Sequence, residues 1–254
     1  MLASAAPPVR SPADIPAPPL PRDLQWVNVA PLRMDKQLGR PVLVEFWDFC
    51  RVNSLRTLPY LQGWHARYAD AGLRVISIHC PGYEPSRDPD AVRAAVARLG
   101  IEHPVCIDPD FAAWEPYDAP GWPARYLFDR SLGLFEFHHG EGGYAETELA
   151  IQELLGVERE VMAPVHPEDA PDAIIAVPTP EQPGAYCGPY EAGAAWAVLS
   201  GQGTVTVNGR ELSVTHPGCH PLADHGRHTE AVLELEVGPG VTAHATVFTP
   251  GVVA

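Results

Sequence analysis

The distribution of proline constrains the fold of this chain more than any other feature of its sequence. Of the 29 prolines in 254 residues, seven lie within the first 21 residues and seven more lie between Pro164 and Pro189. Proline has no backbone N–H and keeps the residue before it out of the helical region. The pattern therefore predicts a disordered N-terminus (1–23) and an extended linker (158–178), which would leave two separable domains, 24–157 and 179–254.

Within the first domain, apolar runs of strand length alternate with amphipathic segments. Residues 40–49 (RPVLVEFWDF) are typical of a strand that is buried on both faces. Residues 52–70 have apolar side chains at helical spacing, and residues 88–100 begin with Asp-Pro and end with glycine, as helices do. A further strand (72–79) and a hairpin after it complete a predicted α/β fold, a mixed sheet with helices on both faces.

The second domain has a different pattern. Residues 203–214 alternate polar and apolar side chains around Asn208-Gly209, a strong hairpin signal, and residues 231–248 are interpreted as a second hairpin with Gly-Pro-Gly at its turn. No helical periodicity follows residue 155. These features predict a small all-β sandwich domain.

Composition limits the classes of partner and the location. A net charge of −15 argues against a nucleic-acid partner, which would need a basic face. No apolar window is long enough for a membrane span, and the N-terminus lacks the apolar core of a signal peptide. We therefore expect a cytoplasmic protein without membrane or nucleic-acid partners. The five cysteines form an odd, scattered set, so most are expected to be reduced.

Two cysteines are candidates for chemistry. Cys50 lies where a strand passes into a helix, and the helix dipole together with Arg51 would lower its pKa and make it a nucleophile. Cys80 ends the next strand and would lie at the same edge of the sheet, where it could resolve a mixed disulfide. Each could instead be a buried packing residue.

A histidine-rich segment (215–228) contains residue types that bind zinc. Its spacing fits no four-ligand pattern, and its prolines and glycines are typical of a surface loop. We predict no metal site there, and no cofactor is expected.

Four stretches, VLVEFWDFC, NSLRTLPYLQGW, VISIHCPGYE and GWPARYLFD, occur in an order that resembles the thioredoxin-fold redoxins. The resemblance covers roughly residues 24–155 and is greatest to the TlpA-like and DipZ-like group. DipZ-like proteins also carry a β-rich domain after the thioredoxin domain. The resemblance implies a thioredoxin-like fold for the first domain.

The resemblance also assigns roles to individual positions. It places Arg51 and Ser54 where the family has its two redox cysteines, so the usual Cys-x-x-Cys is absent. It makes Pro123 the family's cis-proline, which predicts a cis Trp122–Pro123 bond, and Glu45 its buried acid. Desolvation would raise the pKa of Glu45, which would then accept protons during thiol exchange.

Three functions follow as hypotheses. The first is thiol redox chemistry through Cys50 alone, with Cys80 or an external thiol resolving and a protein or peptide thiol as partner. The second is a non-catalytic binding or scaffold module that uses the thioredoxin groove. The groove residues are expected to be Trp47, Arg51, Ser54 and Trp122. The third, a peroxiredoxin-like peroxidase, lacks the Pro-x-x-x-Thr-x-x-Cys run before Cys50.

Overall fold

The structure is a computed structural model that describes residues 9–10 and 15–253. The first domain contains a seven-stranded mixed sheet in the order β1-β7-β6-β3-β4-β5-β2, in which β3, β4 and β5 run parallel. Its strands are β1 (Val9–Arg10), β2 (Gln25–Val27), β3 (Val42–Trp47), β4 (Arg74–His79), β5 (Val105–Ile107), β6 (Ala124–Phe128) and β7 (Leu134–His139).

Helices cover both faces of this sheet. They are α1 (Val52–Tyr68), α2 (Pro89–Arg98), α3 (Trp114–Tyr117) and α4 (Tyr144–Leu155), with 3-10 turns at Met34–Gln37, Glu84–Ser86 and Pro167–Asp169. Side chains of β3 alternate between two apolar clusters, Leu43 and Trp47 in one and Val44 and Phe46 in the other. α1, α2 and α4 pack on the first cluster and α3 on the second. The predicted mixed sheet with helices on both faces is confirmed.

The second domain is all-β, as predicted. A six-stranded antiparallel sheet has the order β12-β11-β13-β10-β14-β9, and β8 pairs with β15 in a separate ribbon. The strands are β8 (Ile175–Ala176), β9 (Gln182–Pro183), β10 (Cys187–Gly201), β11 (Gly203–Val207), β12 (Arg210–Val214), β13 (Gly218–Val237), β14 (Val241–Thr249) and β15 (Gly251–Val252). One apolar cluster draws side chains from β10 to β14.

The two predicted hairpins of this domain have different outcomes. The hairpin around Asn208-Gly209 is confirmed: β11 pairs with β12, and both turn residues have positive φ (47° and 77°), as a type I′ turn requires. The second hairpin is wrong, because β14 pairs with β10 and not with β13. β13 already pairs with β10 and β11, so β14 adds to the other edge of β10.

The prediction of a disordered N-terminus is wrong for its described residues. β1 pairs with β7, Ala17 N donates to Leu132 O at 2.8 Å, and Leu20 is buried. The extended backbone that proline favours is also the conformation that adds to a sheet edge. The remainder of residues 1–14 lies outside the described residues.

The proline-rich segment 158–178 packs along α1 and contains the 3-10 turn Pro167–Asp169. Val165 N donates to Tyr60 Oη at 2.7 Å, and that hydroxyl donates to Asp169 Oδ2 at 2.6 Å. Arg56 of α1 pairs with Glu168 at 3.0 Å. This segment is therefore tied to the first domain by buried or half-buried polar contacts.

The two domains share an apolar core. The cluster beneath α1 includes Val198 and Ala245 from the β domain, and Cys219 and Val247 pack against it. Shared apolar burial of this kind opposes independent movement of the two domains. The structure therefore differs from the sequence-based expectation of separable units.

Consequently, limited proteolysis of the native protein is expected to spare the connecting segment. Arg159 is the only tryptic site within residues 158–178, and its backbone N donates to Gln152 Oε1 at 2.8 Å. We expect trypsin to cut there only in urea, as followed by mass spectrometry of the fragments. Early release of a stable fragment ending at Arg159 would show instead that the domains separate readily.

Candidate functional site

The turn between β3 and α1 lies at the carboxyl edge of the sheet, where α/β folds place their binding and catalytic groups. Asp48 organises this turn. Its Oδ1 accepts from Cys50 N at 2.9 Å, its carbonyl accepts from Arg51 N at 3.0 Å, and its own N donates to Ser54 Oγ at 3.2 Å. Arg51 is the N-cap residue of α1, which begins at Val52.

The loop after β4 packs directly against this turn. Asp48 Oδ2 accepts from Gly82 N at 2.8 Å, and His79 Nε2 lies 3.3 Å from Asp48 Oδ1. A Cβ at position 82 would lie only 2.7 Å from Arg51 Nε and 2.9 Å from Asp48 Oδ2. Glycine at this position therefore allows the loop to approach the turn closely.

Cys50 does not have the environment predicted for a nucleophile. It has 0% exposure and belongs to the apolar cluster beneath α1. Burial raises the pKa of its thiol far above the ordinary value, and Asp48 raises it further. A hydrogen bond with Ser86 and the charge of Arg51 lower the pKa by less. The prediction of an accessible thiolate with a low pKa is wrong, because desolvation outweighs the nearby cation.

Cys80 belongs to the apolar cluster on the opposite face of the sheet from Cys50. Its Sγ donates to Asp108 Oδ2 at 3.4 Å, and its pKa is raised well above the usual value, chiefly by burial and then by Asp108. The prediction that Cys80 resolves a disulfide on Cys50 is therefore corrected. Both residues follow strand ends, but they enter different cores.

Glu45 lies on β3 beneath the site and is fully buried. Desolvation raises the pKa of its carboxyl to about 8, although Arg125, 3.9 Å away, lowers it. The raised pKa is as predicted. Arg125 is held in place by Gly142 O and by the rings of Tyr144 and Trp64, whose centroids lie 4.9 and 5.6 Å from its guanidinium carbon. Glu45 is therefore mostly protonated at neutral pH.

A groove of about 590 Å³ opens in front of the turn, between the two domains. Its walls include Arg51, Asn53, Trp122, 177–181 and Val247, and the buried residues Cys50, Val52 and Phe248 lie directly behind them. The guanidinium of Arg51 lies 4.4 Å from the ring centroid of Tyr83 and 5.2 Å from that of Trp122. Glu181 contacts Arg51 Nη1 at 3.2 Å and accepts from Tyr83 Oη at 2.8 Å.

The predicted groove residues divide into two pairs. Arg51 and Trp122 line the groove, and the Trp122–Pro123 bond is cis, as predicted. Trp47 and Ser54 are 1% and 2% exposed and lie in the interior, so their prediction as groove residues is wrong.

Sequence reasoning missed the other wall of the groove. Glu181 immediately precedes β9, and Val247 and Phe248 belong to β14, so all three follow Arg51 by more than 100 residues along the chain. No local motif marks them. Only the packing of the β domain over the turn brings them to the site.

The histidine-rich segment forms no metal centre within residues 15–253. His216 and His220 stack with ring centroids 4.8 Å apart, while His225 Nε2 lies 2.8 Å from Tyr190 Oη. Among the described residues, no three His, Cys, Asp or Glu side chains are grouped to hold an ion. In the same part of the chain, no helix has the length and apolar character needed to span a membrane.

Comparisons with known proteins point to one family. The chain is 35% identical over 142 residues to Protein DipZ of Mycobacterium bovis (strain ATCC BAA-935 / AF2122/97), a match that covers 55% of this chain but only 20% of DipZ. It is 26% identical over 140 residues to the thiol-disulfide oxidoreductase YkuV of Bacillus subtilis (strain 168), which covers 94% of YkuV. No family model matches.

Solved structures agree with these relatives. A thioredoxin-like protein in the oxidised form has a TM-score of 0.51 and 26% identity, over 56% of this chain and 97% of that chain. The putative thiol:disulfide interchange protein DsbE from Chlorobium tepidum has a TM-score of 0.50 and 20% identity, over 56% and 96%. The matched share corresponds in length to the α/β domain. Through this domain, the chain has a thioredoxin-like fold and is similar in sequence to the thioredoxin-like redoxins.

Proposed function

We propose that this chain is a binding protein built on the thioredoxin fold, whose groove holds an extended peptide segment with a carboxylate at Arg51. One observation carries the proposal. At the position that the resemblance gives to the first redox cysteine, a cation faces an open groove, while the neighbouring thiol of Cys50 is buried. The groove is present, but the guanidinium of Arg51 stands where the resemblance would place a reactive thiol.

The charges at the groove suit a competing carboxylate. Side chains of Arg51 and Glu181 are 29% and 43% exposed, and ion pairs with such exposure contribute little to stability. A carboxylate from a ligand can therefore replace Glu181 at small cost. Arg51 Nη1 is the nitrogen that pairs with Glu181, so the ligand carboxylate would take the place of Glu181 there with a charge-assisted hydrogen bond.

The rest of the groove suits apolar side chains next to that carboxylate. Trp122, Val247 and Phe248 supply apolar surface on both sides of Arg51, and Pro178 and Pro180 keep the facing segment extended. A mostly apolar lining with few polar groups is typical of binding sites. An extended peptide with one acidic residue between apolar ones matches this arrangement.

The proposal is tested with two blocked peptides, Ala-Val-Glu-Val-Ala and its Gln counterpart. We expect the Glu peptide to bind and the Gln peptide to bind at least about 10-fold more weakly, because only the former pairs with Arg51. Titration followed by the tryptophan fluorescence of the protein or by calorimetry gives both affinities. Arg51→Gln should remove the difference between the peptides.

Removing the internal competitor should have the opposite effect. Glu181→Gln frees Arg51 and should strengthen binding of the Glu peptide several-fold. Glu191→Gln is the matched control, because Glu191 is an exposed carboxylate whose partner is His228 and which lies outside the groove. Equal affinities for the two peptides, or an unchanged affinity in Arg51→Gln, would refute carboxylate recognition at this site.

Thiol-disulfide exchange through Cys50 alone is the second candidate, and the name of YkuV is the observation that favours it. It would require the β domain to move and expose the thiol. Disulfide reductase activity that Cys50→Ser abolishes would favour this candidate. A peroxidase would use the same thiol, and the burial and raised pKa of Cys50 count equally against it.

A further inference from the structure

Two cysteines from different domains lie at one apolar cluster of the domain interface. Cys50 is buried in the apolar cluster beneath α1, and Cys219 of β13 packs against that same cluster. Their neighbours in sequence also meet, because a Cβ at Gly218 would lie 3.8 Å from Phe49 Cδ2. The β domain therefore places a thiol beside the turn in which the family's redox centre would lie.

The charged groups that act on Cys219 belong to the same turn and groove. Burial raises the pKa of its thiol, Asp48 and Glu181 raise it further, and Arg51 lowers it. Cys219 in turn contributes to the raised pKa of Cys50. Both thiols thus respond to the charges of one turn and one groove.

We propose that Cys50 and Cys219 form a reversible disulfide that links the β domain to the thioredoxin-like domain. This inference does not depend on ligand binding in the groove. The other described cysteines lie elsewhere: Cys80 and Cys106 are in the cluster on the opposite face of the sheet, and Cys187 is exposed.

The oxidant can be hydrogen peroxide. The Cys219 thiolate, which is the less buried of the two, attacks one peroxide oxygen, becomes a sulfenic acid and releases hydroxide. The Cys50 thiolate then attacks the sulfur of Cys219, forms the S–S bond and displaces a second hydroxide. The two hydroxides take up the two thiol protons, so that two thiols and one peroxide give one disulfide and two waters. Burial raises the pKa of both thiols, so only a small fraction is thiolate near neutral pH, and the oxidation should be slow there and become faster as the pH rises. A single slow oxidation of this kind does not require the rapid turnover of a peroxidase.

Peptide mapping can identify the bond directly, because trypsin separates the cysteines. Cys50 falls in peptide 37–51 (Arg40 precedes proline), Cys219 in 211–227, Cys80 in 75–87 and Cys106 in 99–125. The full-length protein is treated with hydrogen peroxide at pH 8, its remaining thiols are blocked with N-ethylmaleimide in denaturant, and the digest is analysed by mass spectrometry. We expect 37–51 linked to 211–227 and a loss of two of the five thiols, both reversed by dithiothreitol.

Two variants and a melting experiment complete the test. Cys219→Ser should leave Cys50 as a free thiol, whereas Cys187→Ser should leave the link unchanged. The linked protein should melt about 5–10 °C higher than the reduced protein, because the bond constrains the unfolded chain. A link between Cys80 and Cys106, or wild-type protein with Cys50 and Cys219 still unlinked after treatment, would overturn the proposal, and neither readout requires the variants to fold.

Discussion

Replacing Glu45 by glutamine is expected to stabilise the protein by up to about 5 kcal/mol at pH 8 and to change its stability little near pH 4.5. Glu45 is fully buried, and both of its carboxyl oxygens lack a hydrogen-bond partner among the described residues. Burial raises the pKa of this carboxyl from 4.5 to about 8. The native protein must therefore keep a proton that the unfolded chain releases.

The sign of the effect follows from that difference. Below pH 4.5 the carboxyl is protonated in both states and costs nothing extra. Between pH 4.5 and 8 only the unfolded state loses the proton, so the free energy of unfolding falls steadily over this range. Glutamine has a similar shape and cannot ionise. Urea unfolding at pH 5 and pH 8 should thus give a flatter pH profile for Glu45→Gln than for the wild type.

Glu148 offers a matched control. It is equally buried, but its carboxylate accepts from Trp64 Nε1 at 3.2 Å, Tyr68 Oη at 2.6 Å and Met162 N at 2.8 Å. Glutamine at position 148 would place its amide N–H₂ group against these N–H and O–H donors. The lost hydrogen bonds should lower the free energy of unfolding by about 1–3 kcal/mol at both pH values. If Glu45→Gln lowered stability at pH 8 in the same way, the buried carboxyl would be ionised and stabilised by Arg125.

The sequence alone predicts the α/β domain well, because its signals are local. The apolar run of β3, the helical spacing in α1 and the Asp-Pro start of α2 each specify one element without reference to the rest of the chain. The raised pKa of Glu45 was also predictable, because a carboxyl within a wholly apolar strand must lose its hydration.

The candidate site was predicted less well, because it depends on contacts between distant parts of the chain. The dipole of α1 and the charge of Arg51 both come from residues next to Cys50 in the sequence, and both favour a reactive thiol. Val198 and Ala245, which share the apolar cluster that contains Cys50, come from the β domain, more than about 140 residues later in the chain. Proline likewise predicted an extended segment at 158–178, but nothing in its composition indicated that α1 would bind it along its length.

The double variant Arg51→Cys/Ser54→Cys is expected to gain a disulfide and to exceed the natural protein in disulfide reductase activity. Arg51 is the N-cap of α1 and Ser54 lies in its first turn, a spacing that brings both side chains to one end of the helix. The positive end of the helix dipole lowers the pKa of a thiol at position 51. The thiol would face the groove, because Arg51 lines it.

The assay follows the reduction of insulin by dithiothreitol. The wild type and both single variants are the controls, and we expect each of them to leave the reaction at its uncatalysed rate. The double variant should exceed that rate several-fold. The double variant is also made with Cys219→Ser, so that the thiol of Cys219 in the β domain cannot exchange with the new disulfide. Loss of the hydrogen bond from Asp48 N to Ser54 Oγ should cost only about 1 kcal/mol, so the variant should fold.

Adding Glu45→Gln to the double variant tests whether the buried acid still serves a dithiol. A protonated carboxyl with a pKa of about 8 can exchange a proton near neutral pH, whereas glutamine cannot. We therefore expect the reduction rate to fall and its pH dependence to weaken. A double variant that forms the disulfide but never exceeds the uncatalysed rate would contradict the expectation of a retained redox scaffold. In that case Glu181 and the β domain would have closed the site to disulfide substrates, and the replacement of both cysteines would be only one part of a groove rebuilt for binding.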